Sequence, residues 1–311
     1  MEAVTIIIPS FNHAEFLNER LNSIENQTYK NWVAIIIDDC STDSSIKILN
    51  DFVNRNKTNI AFYLINENNS GSGYHSWKKG IELSQTSYIW IAETDDFSDV
   101  FFLEKQVNIL NRNQDAALVF CASQYIDRKG DYLYNSNRRT HDLNVSINEF
   151  KELPGSVLTK KLPIDNYITN GSSVVFRKPN ETIPMDVFNN KQCSDIFLWT
   201  YLVQNRTFVF NNSILNFFRQ HENSTTKISN SYFMKSMYLE KFKYLLFFEQ
   251  TKKIQFLLDD YTKNYVIVKK DRWFDTSIFN EITQLKKFKR YYFYKLAKLL
   301  IKKIYYKHVR K

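Results

Sequence analysis

Cysteine, glycine and proline are all scarce in this sequence. Its 311 residues include three cysteines, six glycines and five prolines. The cysteines, Cys40, Cys121 and Cys193, are far apart, which excludes the paired spacing of a zinc site, and their odd number excludes a complete disulfide framework. We therefore expect inert thiols in a reducing compartment. The few glycines and prolines are informative because each marks a turn.

Long uncharged apolar segments are also missing. No run of the sequence has the length that crossing a bilayer requires. Met1–Val4 leads directly into an apolar strand, without the basic segment and cleavable apolar region of a secretory signal. We expect a cytoplasmic protein, or one that is peripheral on the cytoplasmic face of a membrane.

Positive charge is concentrated at one end of the chain. Lys286–Lys311 contains 11 lysines and arginines and no acidic residue, whereas the remainder holds 31 basic and 33 acidic residues. Leucine, tyrosine and phenylalanine recur there at helical spacing, which predicts a basic amphipathic helix. An interfacial helix on an anionic membrane is our first interpretation. A helix packed on the protein is the alternative, and nucleic acid is the least favoured partner.

Apolar strands alternate with amphipathic helices over the first hundred residues. The hydrophobic content of 43% is typical of a globular protein. Val4–Ile8, Trp32–Ile37, Ile60–Ile65 and Tyr88–Ala92 have the apolar, β-branched pattern of buried strands. Their alternation with helices predicts an α/β fold with a mostly parallel sheet flanked by helices.

Carboxylates follow two of these predicted strands. Asp38 and Asp39 come after the second strand, and Glu93, Asp95 and Asp96 come after the fourth. Ligands of open α/β sheets collect at the carboxyl ends of the strands, so these side chains are expected at one crevice. Oxygen ligands suit Mg²⁺ or Mn²⁺, which commonly accompany phosphate. Helix capping by aspartate is the alternative interpretation.

Four motifs in a fixed order resemble the family 2 glycosyltransferases with the GT-A fold. They are Ile8–Asn12, Ile37–Asp43, Asn69–Gly73 with Trp77 and Gly80, and Tyr88–Asp96. Each motif is weak alone, but the ordered set is specific. The resemblance implies inverting transfer of a sugar from a nucleotide-sugar to an acceptor hydroxyl. It also implies a GT-A catalytic domain over residues 1–228, followed by a helical extension over residues 229–311.

The resemblance also implies a donor site. Pro9 and Phe11 match the loop beside the nucleobase, and Asp39 matches the carboxylate that accepts a hydrogen bond from uracil or thymine. A UDP- or dTDP-sugar is therefore the expected donor. Arg219 could bind the diphosphate in a bidentate way. The full set of expected donor-binding residues is Pro9, Phe11, Asn12, Asp39, Gly71, Trp77, Glu93 and Arg219. Cys40 stands where many relatives have glycine, which bears on the shape of this loop.

Metal and catalytic roles are implied in the same way. Glu93-Thr94-Asp95 matches the D-x-D motif, with Asp95 as the expected ligand of Mn²⁺ or Mg²⁺ and Glu93 as a departure that adds one methylene. His221 belongs to a segment similar to the family's Arg-x-His and is expected to complete the metal shell or to touch the diphosphate, with a structural role as the alternative. Asp195 resembles the catalytic base, which in an inverting displacement takes the acceptor proton. Its local sequence also suits a helix N-cap.

The acceptor and the cellular setting are further expectations. A glycan or lipid-linked acceptor is expected, in bacterial surface polysaccharide synthesis such as capsule or O-antigen. Arg138, Arg139 and His141 form a basic cluster that fits a solvated loop better than a phosphate site. Two other functions stay open. A sugar nucleotidyltransferase normally has a Gly-rich basic loop after its first strand, unlike Ser10–His13, and a non-catalytic nucleotide-sugar binding protein would not need Asp95 or Asp195.

Overall fold

A computed structural model describes residues 2–222 and 231–261 of the chain. Contacts divide the protein into two compact units, Met1–Lys227 and Ile228–Lys311. The predicted basic helix at Lys286–Lys311 lies outside the described residues. Within the described residues, no helix combines the length and apolar character needed to cross a membrane.

Strands and helices alternate over about the first hundred residues of the first unit, as the apolar pattern predicts. The strands are β1 (Val4–Ser10), β2 (Trp32–Asp38), β3 (Ile60–Ile65), β4 (Tyr88–Ile91), β5 (Phe97–Ser98), β6 (Ala116–Ile126), β7 (Tyr132–Asn135), β8 (Phe150–Pro154), β9 (Val174–Arg177) and β10 (Thr207–Arg219). The helices are α1 (Ala14–Glu25), α2 (Ser45–Arg55), α3 (Gly73–Leu83), α4 (Phe102–Arg112), α5 (Asn137–Thr140), α6 (Gly155–Lys161) and α7 (Ser194–Val203).

One mixed sheet organises these elements, in the order β3-β2-β1-β4-β9-β6-β10-β5, with β7 beside β6 and β8 beside β10. The four strands β3, β2, β1 and β4 are parallel, and so are β6 and β10. The predicted α/β class and mostly parallel sheet are confirmed. The periodicity did not predict the direction of β9, which runs antiparallel to β4 and β6. It begins beside the carboxyl end of β4, where Ser172 Oγ accepts a hydrogen bond from Glu93 N, so it can only run back along the sheet.

The hydrophobic core lies between the sheet and its helices. Ile6 and Ile8 of β1 pack with Leu17 and Leu21 of α1, and all four side chains are buried. Burial of a leucine or isoleucine side chain contributes about 1.5–3 kcal/mol, so this face fixes α1 against the sheet. Gly80 lets α3 approach β1 closely on the other face, because a Cβ atom there would lie 2.6 Å from Ile7 Cγ2.

The first turn of α1 differs from the prediction. Asn12, followed by Glu15 three residues later, has the form of a capping box, which predicts Asn12 as the cap of this helix. Its backbone is instead left-handed, with φ of 52°, and its Oδ1 accepts a hydrogen bond from Thr42 N. Asp43, in the loop after β2, provides a cap by accepting a hydrogen bond from Ala14 N. The loops after β1 and β2 are therefore bonded to each other, which a pattern local to one helix could not indicate.

Two helices are described in the second unit, α8 (Ser231–Phe247) and α9 (Ile254–Tyr261). Aromatic and aliphatic residues recur at helical spacing over Phe233–Phe248, which predicts the first of them. The hydroxyl of Tyr238 donates to Asp260 at 2.6 Å, and its ring meets that of Tyr261 at 5.1 Å between centroids. Apolar contacts and one buried polar bond therefore join α8 to α9.

Candidate functional site

A cavity of about 360 Å³ lies at the carboxyl ends of β1, β2 and β4. Pro9 and Phe11 from the end of β1, Asp39 after β2, and Glu93 and Asp95 after β4 all line it. Parallel neighbouring strands end at the same sheet edge, so side chains more than eighty positions apart share one crevice. Three of the five predicted carboxylates, Asp39, Glu93 and Asp95, therefore line one cavity, whereas Asp38 and Asp96 are buried and do not line it.

Seven of the eleven residues singled out in the sequence line this cavity. They are Pro9, Phe11, Asp39, Gly71, Trp77, Glu93 and Asp95. The other four, Asn12, Asp195, Arg219 and His221, are not among its lining residues. Asn12 joins two loops, as described above, and the other three are placed by contacts described below.

The loop after β2 holds its two carboxylates differently. Asp38 is fully buried and accepts hydrogen bonds from Ser41 N, Ser41 Oγ and Ser10 Oγ at 2.7–2.9 Å. Asp39 accepts from Ser70 N and Ser70 Oγ, which holds the Asn69–Gly73 turn beside the cavity. Neither aspartate caps α2. Cys40 between them has φ of 65°, so the loop keeps the left-handed backbone that glycine adopts most easily.

Two buried arginines hold the Glu93–Asp96 loop after β4. Arg20 Nε donates to the carbonyl oxygen of Glu93 at 2.8 Å, and Arg219 Nε donates to the carbonyl oxygen of Asp95 at 3.0 Å. Asp96 accepts from Arg219 N at 3.0 Å and lies 3.9 Å from the Arg20 guanidinium. The loop is thus fixed from both sides, and Asp96 belongs to this support.

Sequence reasoning missed Arg20 and assigned Arg219 to the donor. Arg20 lies on the apolar face of α1, where charged residues are rarely buried unless they are paired. Every guanidinium nitrogen of Arg219 donates to a protein oxygen, including the carbonyl oxygens of Asp127 and Arg128 and the carboxylate of Glu19. The geometry therefore favours a positioning role for Arg219 over direct contact with a diphosphate.

Burial and mutual repulsion shift the pKa values of Glu93, Asp95 and Asp96 in different directions. Burial raises the pKa of Glu93 well above its usual range, and the charges of Asp96, Asp95 and Asp195 raise it further. Burial, with the charge of Asp95, raises the pKa of Asp96 to about 7. Burial alone would also raise the pKa of Asp95, but a hydrogen bond from His221 and the nearby His13 lower it. Asp95 is therefore the side chain of this loop that holds its negative charge most firmly.

Asp95 forms a cluster with two histidines. The imidazole Nε2 of His221 lies 3.1 Å from Asp95 Oδ2, and one donor atom each from His13, Asp95 and His221 lies within 4.8 Å of the others. Atoms that share one ion at about 2.2 Å can be no more than about 4.4 Å apart, so small side-chain movements would close the set around a cation. Two imidazoles with one carboxylate fit Mn²⁺ better than Mg²⁺, which prefers oxygen ligands.

His13 was not assigned as a ligand from the sequence. It precedes α1, and its Nδ1 lies 2.7 Å from Thr94 Oγ1, in the middle of the loop after β4. This contact exists because β1 and β4 are sheet neighbours. The strand alternation alone did not specify that neighbourhood, so no local signal pointed to His13.

Asp195 is in the first turn of α7, where Cys193 and not Asp195 is the N-cap residue. The capping alternative is therefore wrong. The Tyr74 hydroxyl donates to the carbonyl oxygen of Gln192 at 3.3 Å, and Trp77 meets Trp199 of α7 at 6.0 Å between ring centroids. These contacts tie the start of α7 to the cavity wall. The effect of Asp195 on the pKa of Glu93 shows that the two carboxyls are within electrostatic range.

Gly171 is a further residue that the sequence did not single out individually. A Cβ atom at this position would lie 2.7 Å from the Trp77 ring and 3.6 Å from the carboxyl carbon of Glu93. Only glycine fits between those side chains without displacing one of them. The small-residue segment before β9 was the available signal.

Comparisons with known proteins agree with this architecture. The family model "Glycosyl transferase family 2" matches residues 5–180. An uncharacterized glycosyltransferase of Haemophilus influenzae is 34% identical over 113 residues, which cover 36% of this chain and 44% of the relative. The chondroitin synthase of Escherichia coli is 29% identical over 132 residues, which cover 42% of this chain and 19% of the relative. The chain therefore spans less than half of either relative.

A solved structure is similar in fold. The S. aureus protein TarS, residues 1–349 in complex with UDP-GlcNAc, has a TM-score of 0.56 and 16% identity, covering 76% of this chain and 66% of that one. At this identity the likeness shows the GT-A type fold. Because the family model spans more than half of the chain and the observed fold agrees with it, this chain belongs to glycosyl transferase family 2.

Proposed function

We propose that this enzyme is an inverting, metal-dependent glycosyltransferase that moves a sugar from a UDP- or dTDP-sugar to a hydroxyl of a glycan or lipid-linked acceptor. The observation that carries the proposal is the shared cavity, which has Pro9, Phe11 and Asp39 at two strand ends and the loop of Asp95 at a third. Adjoining nucleobase and diphosphate subsites are what a nucleotide-sugar requires.

Pro9, Phe11 and Asp39 form the proposed base subsite. Phe11 is 43% exposed and offers a ring face to a planar base, while the Asp39 carboxylate is an acceptor for a base N–H. The Asp39 carboxylate accepts a hydrogen bond from Ser70 Oγ, which fixes its orientation. A bound base would donate a hydrogen bond to the same carboxylate. Gly71 and Trp77 complete this part of the wall.

Asp95, His221 and His13 are the proposed metal ligands, with Glu93 beside them. A bound Mn²⁺ or Mg²⁺ would offset the charge of the donor diphosphate. Arg219 acts here by holding the Asp95 backbone, and Arg20 acts in the same way on Glu93. The two arginines therefore orient the acidic loop without occupying the diphosphate position.

Asp195 is the proposed general base. The acceptor oxygen forms a bond to the anomeric carbon, the carboxylate of Asp195 takes the proton of that hydroxyl, and the bond from the anomeric carbon to the nucleoside diphosphate breaks. Attack opposite to the leaving group inverts the configuration. Gln192, just before α7, lines the cavity, and Trp199 of α7 contacts the lining residue Trp77, which supports this assignment.

The Asp195→Asn variant tests the proposed base. It should bind donor as the wild-type chain does and transfer sugar about 10²–10⁴-fold more slowly, because the isosteric amide cannot accept the proton. Donor affinity and product formation with a nucleotide-sugar panel and Mn²⁺ would be measured together. Transfer at the wild-type rate would remove Asp195 from the mechanism.

Slow donor hydrolysis separates this function from its rivals. Release of UDP or dTDP from a nucleotide-sugar supports a transferase. A sugar nucleotidyltransferase would instead release pyrophosphate from a nucleoside triphosphate and a sugar phosphate, and a binding protein would release neither product. Thermal stabilisation by individual nucleotide-sugars would identify the donor.

The proposed setting is bacterial surface polysaccharide synthesis, such as capsule or O-antigen assembly, on the cytoplasmic face of the membrane. The similarity to a chondroitin synthase supports a polysaccharide product. The basic sequence Lys286–Lys311 supports attachment to an anionic membrane. Loss of vesicle binding after removal of that segment would test the attachment.

A further inference from the structure

A second cavity, of about 370 Å³, lies in the same unit and has a different lining. It is formed by β6, β7, α5, the segment before β9 and the end of β10. The lining residues are Tyr125, Tyr134, Asn135, Ser136, Arg138, Arg139, Thr169, Phe218 and Gln220. Two arginines and no carboxylate appear in this set, as far as the described residues show.

One wall of the second cavity is aromatic. Tyr125 and Tyr134 are stacked, with ring centroids 4.3 Å apart, and Phe218 meets Tyr125 edge-on at 5.2 Å. Tyr134 is 47% exposed, so the face that does not meet Tyr125 is open to a ligand. A flat apolar face of this kind suits the C–H face of a sugar ring, and its hydroxyl can hydrogen-bond.

The opposing groups are the guanidinium groups of Arg138 and Arg139. Arg139 Nη1 donates to the carbonyl oxygen of Asn166 at 3.2 Å, which helps to fix that side chain in the cavity wall. Arg138 is exposed, and its guanidinium has no hydrogen-bond partner within the described part of the chain. Burial raises the pKa of Tyr134 and the two arginines oppose this, so their charges lie near its ring. Guanidinium groups bind carboxylate and phosphate by paired hydrogen bonds.

The second cavity shares the end of β10 with the residues that contact Asp95. Phe218 and Gln220 alternate with Arg219 and His221 at the end of β10, so neighbouring residues face the two sites in turn. Thr169 precedes Asn170, whose amide donates to Asp96. The end of β10 therefore contributes residues both to the second cavity and to the support of the first.

We propose that the second cavity binds an anionic sugar unit of the acceptor, one that carries a carboxylate or a phosphate and is distinct from the unit with the reacting hydroxyl. This inference rests on the proposed glycosyl transfer, and it names the acceptor as an acidic glycan. Tyr134 packs on the ring and Arg138 and Arg139 bind the acidic group.

The test uses the full-length chain and three monosaccharide probes of matched size. Glucuronic acid carries a carboxylate, glucose 6-phosphate carries a phosphate, and glucose carries neither. Binding is measured by ligand-observed NMR or calorimetry. We expect weak binding of at least one anionic sugar, with Kd of about 1 mM, and weaker binding of glucose.

Two matched pairs of variants locate this binding. Arg138→Gln should weaken anionic sugar binding about tenfold, whereas Arg112→Gln, at an exposed arginine on α4, should leave it unchanged. Tyr134→Ala should weaken it, whereas Tyr132→Ala, on the same strand but outside the cavity lining, should not. Unfolding curves confirm that each variant is folded.

The outcomes decide the proposal and the source of the charge. Preference for glucuronic acid or for glucose 6-phosphate supports it and identifies a uronate or a phosphate unit. Equal binding of glucose, equal effects of Arg138→Gln and Arg112→Gln, or no binding of either anionic sugar at about 10 mM would each overturn it. Donor hydrolysis by the wild-type chain is measured in parallel, so failure of the proposed transferase function is seen separately.

Discussion

Two cavities of nearly equal volume lie in one unit of this protein and have opposite charge. The first holds Asp39, Glu93 and Asp95, and the second holds Arg138 and Arg139. An anionic ligand is repelled by the first cavity unless a cation is bound there, whereas the second attracts it directly. This difference would let the proposed donor diphosphate and the proposed acidic acceptor bind in separate cavities. A bound cation would offset the charge of the first ligand, and the two arginines would offset that of the second.

The two cavities also differ in how rigidly their charged groups are held. The acidic loop after β4 is bonded through its backbone to Arg20 and Arg219, both almost completely buried. The basic residues of the second cavity are exposed on the four-residue helix α5. We therefore expect substitutions that affect the first cavity to alter folding or metal affinity, and substitutions in the second to alter ligand affinity alone.

The largest effect is expected for Arg20→Met, which removes the support of the first cavity. It would leave Asp96 buried without its cationic partner, and loss of one member of a buried ion pair typically costs about 3–5 kcal/mol of unfolding free energy. Urea unfolding would measure the loss. Arg55→Met is the matched control, since Arg55 is exposed in its ion pair with Glu25 and should contribute less than about 1 kcal/mol. Equal losses in the two variants would contradict the structural role of Arg20.

Asp95→Asn should separate the two cavities functionally. Donor hydrolysis with Mn²⁺ should fall by about 10²–10³-fold, because the main negatively charged ligand is lost. Binding of an anionic sugar at the second cavity should not weaken. Asp51→Asn, at an exposed aspartate on α2, is the control for the loss of one charge. If Asp95→Asn weakened both processes equally, the two sites would not be distinct.

His13→Ala tests the ligand that only the fold indicated. Apparent Mn²⁺ affinity, measured by calorimetry, should fall about 10- to 100-fold, because the cluster loses one of its three donor groups. His75→Ala provides the comparison, since His75 lies on α3 outside the cluster. Unchanged Mn²⁺ affinity in the first variant would restrict the site to Asp95 and His221.

The smallest effect concerns the loop beside Asp39. Cys40→Gly should raise the unfolding free energy by up to about 1 kcal/mol, since glycine adopts the observed left-handed backbone without the steric cost of a Cβ atom. Cys40→Ala keeps the Cβ atom and should show no such gain. Donor binding should be similar in both, because the loop shape is already that of glycine.

Much of the first cavity could be predicted because its residues belong to short motifs at strand ends. Asp39 and Asp95 each follow an apolar strand, and burial of such strands is encoded in a few adjacent residues. The prediction for Arg219 was less complete. Its position in an Arg-x-His segment indicated the site, but only the contacts with the carbonyl oxygens of Asp95, Asp127 and Arg128 showed that its donors are already used.

The second cavity shows the opposite relation. Arg138 and Arg139 were visible in the sequence as a basic cluster, and a solvated loop was the preferred interpretation. Both side chains are indeed exposed, but the pairing of β7 with β6 places Tyr134 beside Tyr125 and so gives the arginines an aromatic partner wall. The positive charge can be read from adjacent residues in the sequence. The cavity depends on strand pairing, which those residues do not reveal.

The sequence by itself determined the first four strands and the helices between them, the family resemblance and the carboxylates at the strand ends, since each depends on residues close together in the chain. The tertiary structure alone decided that His13 joins Asp95, that Arg20 and Arg219 hold the acidic loop, and that β9 runs antiparallel. These features join residues far apart in the chain, as in the bond between Arg20 and Glu93 and the pairing of Phe120 with Val174. The order of the strands in the sheet decides which distant residues meet. The periodicity within a single strand or helix does not indicate which element lies beside it.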